Sequence, residues 1–199
     1  MEIRKILKQE IDAVVDVHKN SFQGFFLTLL GDEFLKVYYD SIRKDRNALL
    51  VGFFEEDVLS GFYAACLISK GFNKNLVKQN VLKFLMLGIR LMFTKPISLI
   101  RLIKNLSKSD LNVNDKGDYA ELLSIGVSQK KQGKGIGKEL LIQLEKELKQ
   151  KGCSEISLTT DYYNNEKTIQ FYKGIGYDIY YEFMAYPNRK MYRMIKKIN

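Results

Sequence analysis

The sequence predicts an α/β fold in which helices flank a mixed, mostly antiparallel central sheet. Its 199 residues are 46 % hydrophobic and 28 % charged, which is the composition of a folded globular protein. Segments with the alternating pattern of strands interchange along the chain with segments that carry apolar residues at helical spacing. Because a chain of this length buries roughly 70 % of its extended surface in one core, we expect one domain over residues 1–199.

The N-terminal part of the chain is predicted to form one strand, two helices and a pair of antiparallel strands. Short aliphatic and aromatic runs mark the strands, and an apolar stripe marks each helix. Glu55, Glu56 and Asp57 form a charged turn between the two paired strands. The predicted elements are a strand at Glu2–Ile6, helices at Ile11–Lys19 and about Gly31–Ile42, and strands at Ala48–Phe54 and Leu59–Ile68.

The stretch between the third and fourth strands is helical in pattern and strongly basic. Between Val58 and Ser109 there is no acidic residue, whereas nine of the 32 basic residues fall there. The other 23 basic residues balance the 23 acidic ones, so the net charge of +9 comes from this stretch. We call residues 72–107 the basic segment and expect two helices in it, broken at Pro96. These helices are Leu76–Thr94 and Ile97–Leu106, and a polar linker, Lys108–Lys116, follows them.

The C-terminal part of the chain alternates between strands and helices and ends in two strands. A glycine-rich turn joins its first strand to a helix that carries an apolar inner face. The predicted elements are a strand at Tyr119–Val127, a helix from the turn to about Lys151, a strand at Glu155–Thr160, a short helix at about Asn165–Lys173, and strands at Tyr177–Tyr186 and Met191–Ile198.

The glycine-rich turn, Gln132–Lys138, connects a strand with the start of a helix. Backbone N–H groups and the helix dipole favour an anion at such a place, so the turn is either a phosphate-binding loop or a tight connection. A P-loop would need Gly at 132 and Ser or Thr at 139, where the chain has Gln132 and Glu139. A dinucleotide-binding loop would need Gly in place of Lys138. These two nucleotide-binding motifs are therefore excluded.

Two motifs, in order along the chain, resemble those of the GNAT superfamily of N-acetyltransferases. The first, QGKGIG at Gln132–Gly137, is similar to the acyl-CoA-binding signature Q/R-x-x-G-x-G/A of that family. The second, NEKTIQFYKGIGY at Asn165–Tyr177, is similar to its N-x-x-A-x-x-F-Y-x-x-x-G-F segment. Thr168 replaces the usual alanine, and the final Tyr177 replaces phenylalanine. The resemblance covers residues 118–186 and implies an acyl-CoA N-acyltransferase-like fold.

The resemblance also implies acetyl-CoA as the co-substrate and assigns residues to it. Amides of the glycine turn would hold the pyrophosphate, the edge of the fourth strand would pair with the pantetheine amides, and Asn165 would hydrogen-bond the pantetheine arm. The implied binding residues are Ile125, Val127, Gln132, Gly133, Lys134, Gly135, Ile136, Gly137, Lys138 and Asn165.

Tyr172 and Glu121 are the candidate catalytic residues. A phenol with a pKa near 10 stays protonated at neutral pH, so Tyr172 suits the role of general acid toward a thiolate leaving group of pKa about 8.5. An amine of pKa near 10.4 is only about one part in two thousand neutral at pH 7 and has to lose a proton before it attacks. The position of Glu121 is similar to that of the glutamate base in the histone-acetyltransferase branch. The alternatives are a core tyrosine, a carboxylate that is merely ion-paired with a lysine, and a proton relay through water.

Three further expectations concern single residues. Gly126 lies within a strand, which favours a bulge that would splay this strand and open a slot for a thioester. Without a bulge, alternate residues from Glu121 to Val127 would share one face of the sheet. His18 is the only histidine and is predicted to lie on the surface of the first helix. With one histidine and no Cys-x-x-Cys pair, we expect no metal site.

The basic segment interrupts the family pattern where chain elements border the acceptor, so the resemblance implies that it selects the acceptor. Three interpretations remain open. The segment is a pair of helices packed on the domain with a solvated lysine face, a lid that attracts an anionic acceptor, or a surface that lies on anionic lipid or on a partner. Its cations are interspersed with aliphatic rather than aromatic residues, which argues against nucleic acid as a partner.

The predicted function is transfer of the acetyl group of acetyl-CoA, by direct attack, to a primary amine of an unidentified small molecule or peptide, for which an anionic acceptor is one candidate. The alternative is a non-catalytic CoA-binding module that docks on a membrane or an acidic partner through the basic segment. A cytoplasmic location is expected, because the N-terminus lacks the apolar stretch of a signal peptide. The oligomeric state is left open.

Overall fold

The computed structural model describes residues 1–107 and 115–198, which form a mixed sheet with helices on both faces. Most of the predicted linker Lys108–Lys116 lies outside these residues. The described elements are β1 (Glu2–Lys5), α1 (Ile11–Ser21), α2 (Phe26–Leu30), α3 (Asp32–Lys44), β2 (Ala48–Glu55), β3 (Val58–Cys66), α4 (Phe72–Gln79), α5 (Val81–Thr94), α6 (Pro96–Ser107), β4 (Ala120–Val127), α7 (Ile136–Gln150), β5 (Glu155–Asp161), α8 (Glu166–Gly174), β6 (Asp178–Ala185) and β7 (Arg189–Lys197).

The seven strands are arranged in the order β1-β2-β3-β4-β5-β7-β6. The neighbouring pairs are antiparallel except β4 and β5, which run parallel. The predicted mostly antiparallel sheet flanked by helices is therefore confirmed.

The charged turn between β2 and β3 is tighter than predicted, because Glu56 and Asp57 alone turn the chain, with φ of 49° and 63°.

Two apolar cores lie on opposite faces of the sheet. The first core packs α1, α3 and the inner sides of α4, α5 and α6 against β2 and β3. The second core packs α7 and α8 against β4, β5 and β7. In α7 the predicted inner face is fully buried, since Leu140, Leu141, Leu144 and Leu148 are at most 1 % exposed.

A β-bulge in β4 lies at Leu123 rather than at the expected Gly126. Ala64 pairs with Ser124 and Ala65 with Leu122, so Leu123 is the extra residue. One inserted residue reverses the alternation of side chains along a strand. Leu123 consequently packs with the first core, whereas Ile125 packs with the second, and the expected common face from Glu121 to Val127 does not exist.

Gly126 has a different reason to be glycine. A Cβ at this position would lie 3.0 Å from the Phe62 ring and 3.1 Å from the Ser21 hydroxyl. Both distances are shorter than ordinary van der Waals contacts, so a side chain would have to displace its neighbours, and the glycine lets α1 approach β4 closely.

Two features of the helices were not predicted. The basic segment contains three helices instead of two, because the chain breaks at Asn80, whose side-chain amide donates to the Leu76 carbonyl 3.0 Å away. Such a side chain competes with the backbone for helical hydrogen bonds. Helix α2 was also missed, since its five residues are too few to show a period.

Candidate active site

The centre of the sheet opens into a wedge between β4 and β5. Their parallel pairing ends at Leu122 and Leu158, so the strands part beyond these residues. A cavity of about 370 Å³ occupies the space between them, and α1 and α8 complete its walls. We call it the wedge cavity. The bulge at Leu123 lies where the strands separate, as a bulge that bends one strand away from its neighbour would require.

The glycine turn follows β4 and is tied to its end. The Gln132 side-chain amide donates to the Val127 carbonyl over 3.2 Å. Gly133 and Gly135 have φ of 77° and 85°, a left-handed conformation that only glycine adopts without strain. These two residues let the chain reverse sharply before α7 begins.

The start of α7 offers hydrogen-bond donors to an anion. Within the described part of the chain, the amides of Ile136 and Gly137 have no backbone acceptor. The positive end of the helix dipole lies at the same place, and the side chains of Lys134 and Lys138 beside it are exposed. The geometry and charge of the turn fit a pyrophosphate.

Asn165, which caps the start of α8, and two residues of that helix contribute to the wedge cavity. Asn165, Thr168 and Tyr172 all line it. The Asn165 amide nitrogen is used within the protein, because it donates to the Thr160 hydroxyl over 2.6 Å and to the Asp161 carbonyl over 3.0 Å. Its Oδ1 forms no hydrogen bond to a described residue. This oxygen is the group that could accept an N–H from the pantetheine arm.

Tyr172 is buried, at 7 % exposed, and its hydroxyl has no hydrogen-bond partner among the described residues. Its ring packs beside those of Phe171 and Tyr177 at centroid distances of 5.4 and 5.6 Å. Burial raises the pKa of Tyr172 to about 12. The phenol therefore keeps its proton at neutral pH.

Glu121 lies outside the wedge cavity, in a second cavity of about 260 Å³. Its Oε1 accepts a hydrogen bond of 3.0 Å from Arg193 Nη1, and its Oε2 accepts one from the Ser69 hydroxyl. Arg193 in turn donates to the Ser157 hydroxyl over 2.8 Å. The carboxylate has an arginine partner rather than the lysine that the alternative interpretation named.

The second cavity, which we call the acceptor cavity, adjoins the wedge cavity and is mainly apolar. Both are lined by Phe26, Leu27, Leu123 and Thr159. The inner faces of α4, α5 and α6 supply much of the remaining wall of the acceptor cavity. Among its lining residues there is no lysine or arginine, and Glu121 is the acidic one. The basic segment therefore borders this cavity with its apolar side.

His18 is buried, and the prediction that it lies on the surface is wrong. It is 2 % exposed, it lines the wedge cavity, and its Nδ1 lies 2.7 Å from the Tyr39 hydroxyl. Burial lowers its pKa to about 4, so the ring is neutral at pH 7. The sequence contains a signal for this position: His18 follows Ile11 and Val14 at helical spacing, on the apolar stripe of α1.

Arg193 is the second site residue that sequence reasoning missed. It stands inside β7 between apolar neighbours, where a charge needs a counterion. That position indicates that a buried acid lies nearby. It does not identify the acid, because Arg193 and Glu121 are 72 positions apart in the chain.

The described residues contain no group of three or more His, Cys, Asp or Glu side chains placed to hold a metal ion. No helix within residues 1–107 and 115–198 combines the length and hydropathy that crossing a bilayer demands.

Comparison with protein families gave a match to the model described as the acetyltransferase (GNAT) family over residues 11–177. Comparison with curated proteins gave no match. Solved structures with the same fold include the ribosomal-protein-S18-alanine N-acetyltransferase from Escherichia coli, with a TM-score of 0.64 and 13 % identity over 100 % of this chain and 94 % of that one.

Two further structures extend the comparison. Aminoglycoside 6'-acetyltransferase type Ii has a TM-score of 0.63 and 18 % identity, over 100 % of this chain and 98 % of that one. The PaiA N-acetyltransferase from Thermoplasma acidophilum, in complex with coenzyme A, has a TM-score of 0.56 and 18 % identity over 98 % of each chain. At these identities the structures establish a common fold.

Proposed function

The chain belongs to the GNAT family of acetyltransferases, and on this premise we propose that it transfers the acetyl group of acetyl-CoA to a primary amine by direct attack. The observation that carries this proposal is the wedge between β4 and β5, because a turn with unpaired backbone amides follows β4 and the buried Tyr172 lines the wedge cavity. The pantetheine arm would lie in the wedge, with its thioester toward the acceptor cavity. The name of the PaiA complex, which includes coenzyme A, supports this choice of donor.

Binding of acetyl-CoA would use backbone groups of the glycine turn and of β4, together with one side-chain oxygen. The amides of Ile136 and Gly137, together with those of the preceding turn, would receive the pyrophosphate. Ile125 and the N–H of Val127 would pair along the edge of β4 with the pantetheine amides, while the Val127 carbonyl accepts from Ser21 and Gln132. Oδ1 of Asn165 would accept from one of the pantetheine amides.

Tyr172 would supply the proton for the leaving thiolate. When the amine nitrogen bonds to the acetyl carbon and the C–S bond breaks, negative charge develops on sulfur. The Tyr172 hydroxyl faces the wedge cavity and has no partner among the described residues, so its proton is available there. A pKa of about 12 keeps the Tyr172 phenol protonated before each turnover.

Glu121 would receive the proton of the acceptor's ammonium group. Its carboxylate is the negative group in the lining of the acceptor cavity, so it attracts and orients a cationic amine. Arg193 and Ser69 fix the carboxylate in place. A chain of waters is the alternative route for this proton, and the pH dependence of a Glu121 variant distinguishes the two.

The acceptor would be an amine with an apolar body rather than an anionic one. The cations of the basic segment do not line the acceptor cavity: Arg101 lies 4.9 Å over the Phe26 ring, and Lys95 donates to the Leu29 carbonyl. The lid that would attract an anion through these cations is therefore not part of this proposal. A mainly apolar wall that also holds one carboxylate and the side chains of Asn73 and Asn105 fits a cationic head on a hydrophobic body.

The first experiment is thermal unfolding of the protein with and without saturating acetyl-CoA. A ligand at a hundredfold excess over its Kd stabilises the folded state by about 2.7 kcal/mol, which raises the Tm of a domain of this size by roughly 5–10 °C. A rise of that size, followed by a screen of hydrophobic primary amines for CoA release, would support the proposal. No shift at millimolar acetyl-CoA would refute it.

A further inference from the structure

The outer surfaces of α5 and α6 are apolar where a helix of a globular protein is normally polar. Leu82, Met86, Phe93 and Ile97 are 73, 71, 78 and 82 % exposed. Exposed apolar patches of this extent mark interaction sites. We define the outer apolar face as the exposed large apolar residues of the two helices, namely Val81, Leu82, Leu85, Met86, Ile89, Met92, Phe93, Ile97, Ile100 and Ile103.

Packing of the domain does not account for this face. The opposite sides of the same helices already serve the first core, where Leu87 and Leu91 are buried and Phe84, Leu99 and Leu102 pack against them. The two helices thus carry apolar residues on two sides, and only one side packs in the first core. Core packing therefore does not explain why the other side is apolar.

The helices of the outer apolar face and the adjoining α4 carry cations and no acidic residue. Lys74 and Lys78 on α4 and Arg90 on α5 are exposed, and none of them forms an ion pair with a described residue. The sequence from Val58 to Ser109 contains no Asp or Glu. A matching surface must therefore offer apolar contact together with negative charge.

A second copy of this chain does not match these requirements. In a twofold interface the same patch meets itself, so Lys74, Lys78 and Arg90 would face like charges, and the helices carry no carboxylate to pair with them. The surface of a bilayer with anionic headgroups offers acyl chains for the apolar residues and phosphates for the lysines.

We infer that α5 and α6 dock the protein on an anionic lipid surface. The 14 residues of α5 span only about 21 Å, at 1.5 Å per residue, which suits a helix that lies in the interface. The inference goes beyond the acetyl transfer proposed above and does not depend on it.

The test is flotation of the full chain with vesicles. Vesicles of phosphatidylcholine with about one third phosphatidylglycerol are compared with pure phosphatidylcholine at 50 mM and 500 mM NaCl. We expect binding to the anionic vesicles that weakens at high salt, because surface charges are screened there. Equal binding to both vesicle types, or none to either, would overturn the inference.

Variants assign the binding to the named face. Met86→Ser with Phe93→Ser removes two exposed apolar side chains and should lower the partition coefficient about tenfold or more. Val58→Ser with Ile142→Ser is the matched control, since these residues are 67 and 58 % exposed elsewhere in the fold. An equal loss in the control pair, or an unchanged partition in the test pair, would contradict the assignment.

The charge component has its own pair of variants. Lys74→Glu with Lys78→Glu should abolish the preference for anionic vesicles, whereas Lys5→Glu with Lys8→Glu changes the net charge equally at an exposed site outside the basic segment. Light scattering at several protein concentrations tests the alternative that a second copy of the chain binds this face. A dimer that Met86→Ser with Phe93→Ser dissociates would show that the face binds a second copy, and the inference would fall.

Discussion

Tyr172 and Tyr177 are both buried tyrosines in contact with each other, but only Tyr172 lines the wedge cavity. The Tyr177 hydroxyl is buried without a hydrogen-bond partner among the described residues. The pair therefore offers a chemical comparison within one aromatic cluster. The same substitution in each removes one oxygen atom, and the proposal assigns the role of general acid to Tyr172 alone.

Tyr172→Phe is expected to lower kcat by roughly a hundredfold, the contribution typical of a positioned acid. Affinity for acetyl-CoA should remain nearly unchanged, because the ring and its packing are retained. Steady-state kinetics with an acceptor amine and the thermal shift with acetyl-CoA measure the two quantities. Tyr177→Phe is the control, and a similar loss of kcat in both variants would remove the assignment.

Glu121→Gln is expected to reduce turnover most near neutral pH and to recover as pH rises. At high pH the acceptor amine loses its proton to solvent, so the carboxylate is no longer needed as a base. The measurement is kcat/KM between pH 6.5 and 9.5. Ser69→Ala, which removes a hydrogen bond from Glu121 and keeps its charge, should preserve the wild-type profile. A loss that is independent of pH would favour the water relay.

His18 makes folding sensitive to mild acid. Its pKa is about 4 in the folded protein against 6.5 when unfolded, so between these values the unfolded chain binds the extra proton. The stability that neutral His18 provides is complete above pH 6.5 and is lost as pH falls toward 4, by about 3 kcal/mol at most. Urea unfolding at pH 7.5, 6.5 and 5.5 should show this decline.

His18→Gln supplies the comparison for that decline. The variant lacks a group that titrates in this range, and the chain contains no other histidine. Its free energy of unfolding should vary less between pH 7.5 and 5.5 than that of the wild type, whatever its absolute stability. An identical slope in both proteins would show that other groups cause the effect.

At the scale of elements, two glycines of the glycine turn, Gly135 and Gly137, differ in whether their backbone conformation requires glycine. Gly135 has a φ of 85° and caps α7, whereas Gly137 lies inside the helix, and a Cβ there would meet nothing closer than Val127 at 3.9 Å. Only the first position depends on the conformational freedom of glycine. The family signature, which allows alanine at the second position, agrees with this distinction.

Gly135→Ala is expected to destabilise the protein by about 1 kcal/mol and to weaken acetyl-CoA binding, because a side chain strains the left-handed backbone. Gly137→Ala should leave both properties close to wild type. Denaturant unfolding and isothermal calorimetry with acetyl-CoA measure the two effects. Equal behaviour of the two variants would mean that the backbone conformation at Gly135 does not shape the site.

At the scale of the whole molecule, periodicity and the two motifs were enough to predict the strands, the mostly antiparallel sheet and most of the helices, but not α2 or the break of the basic segment at Asn80. What else they did not predict depends on contacts between distant segments. The position of the bulge follows from how β3 aligns with β4, and the ion pair of Glu121 with Arg193 joins residues 72 positions apart. Neither is encoded in a local window of sequence.

The parting of β4 from β5 also has a mechanical meaning. Across its middle the sheet is held by three paired residues on each strand, from Ala120 to Leu122 and from Ile156 to Leu158. The second core spans this seam, because it packs residues of β4 together with residues of β5 and β7, so side-chain packing adds to the short strand pairing in holding the sheet together here. A bound pantetheine chain, lying along the open edge of β4, would act as an added strand. Bound acetyl-CoA would then stabilise the fold in addition to donating its acetyl group. An amide hydrogen on the open edge of β4 would exchange with solvent more slowly while acetyl-CoA is bound.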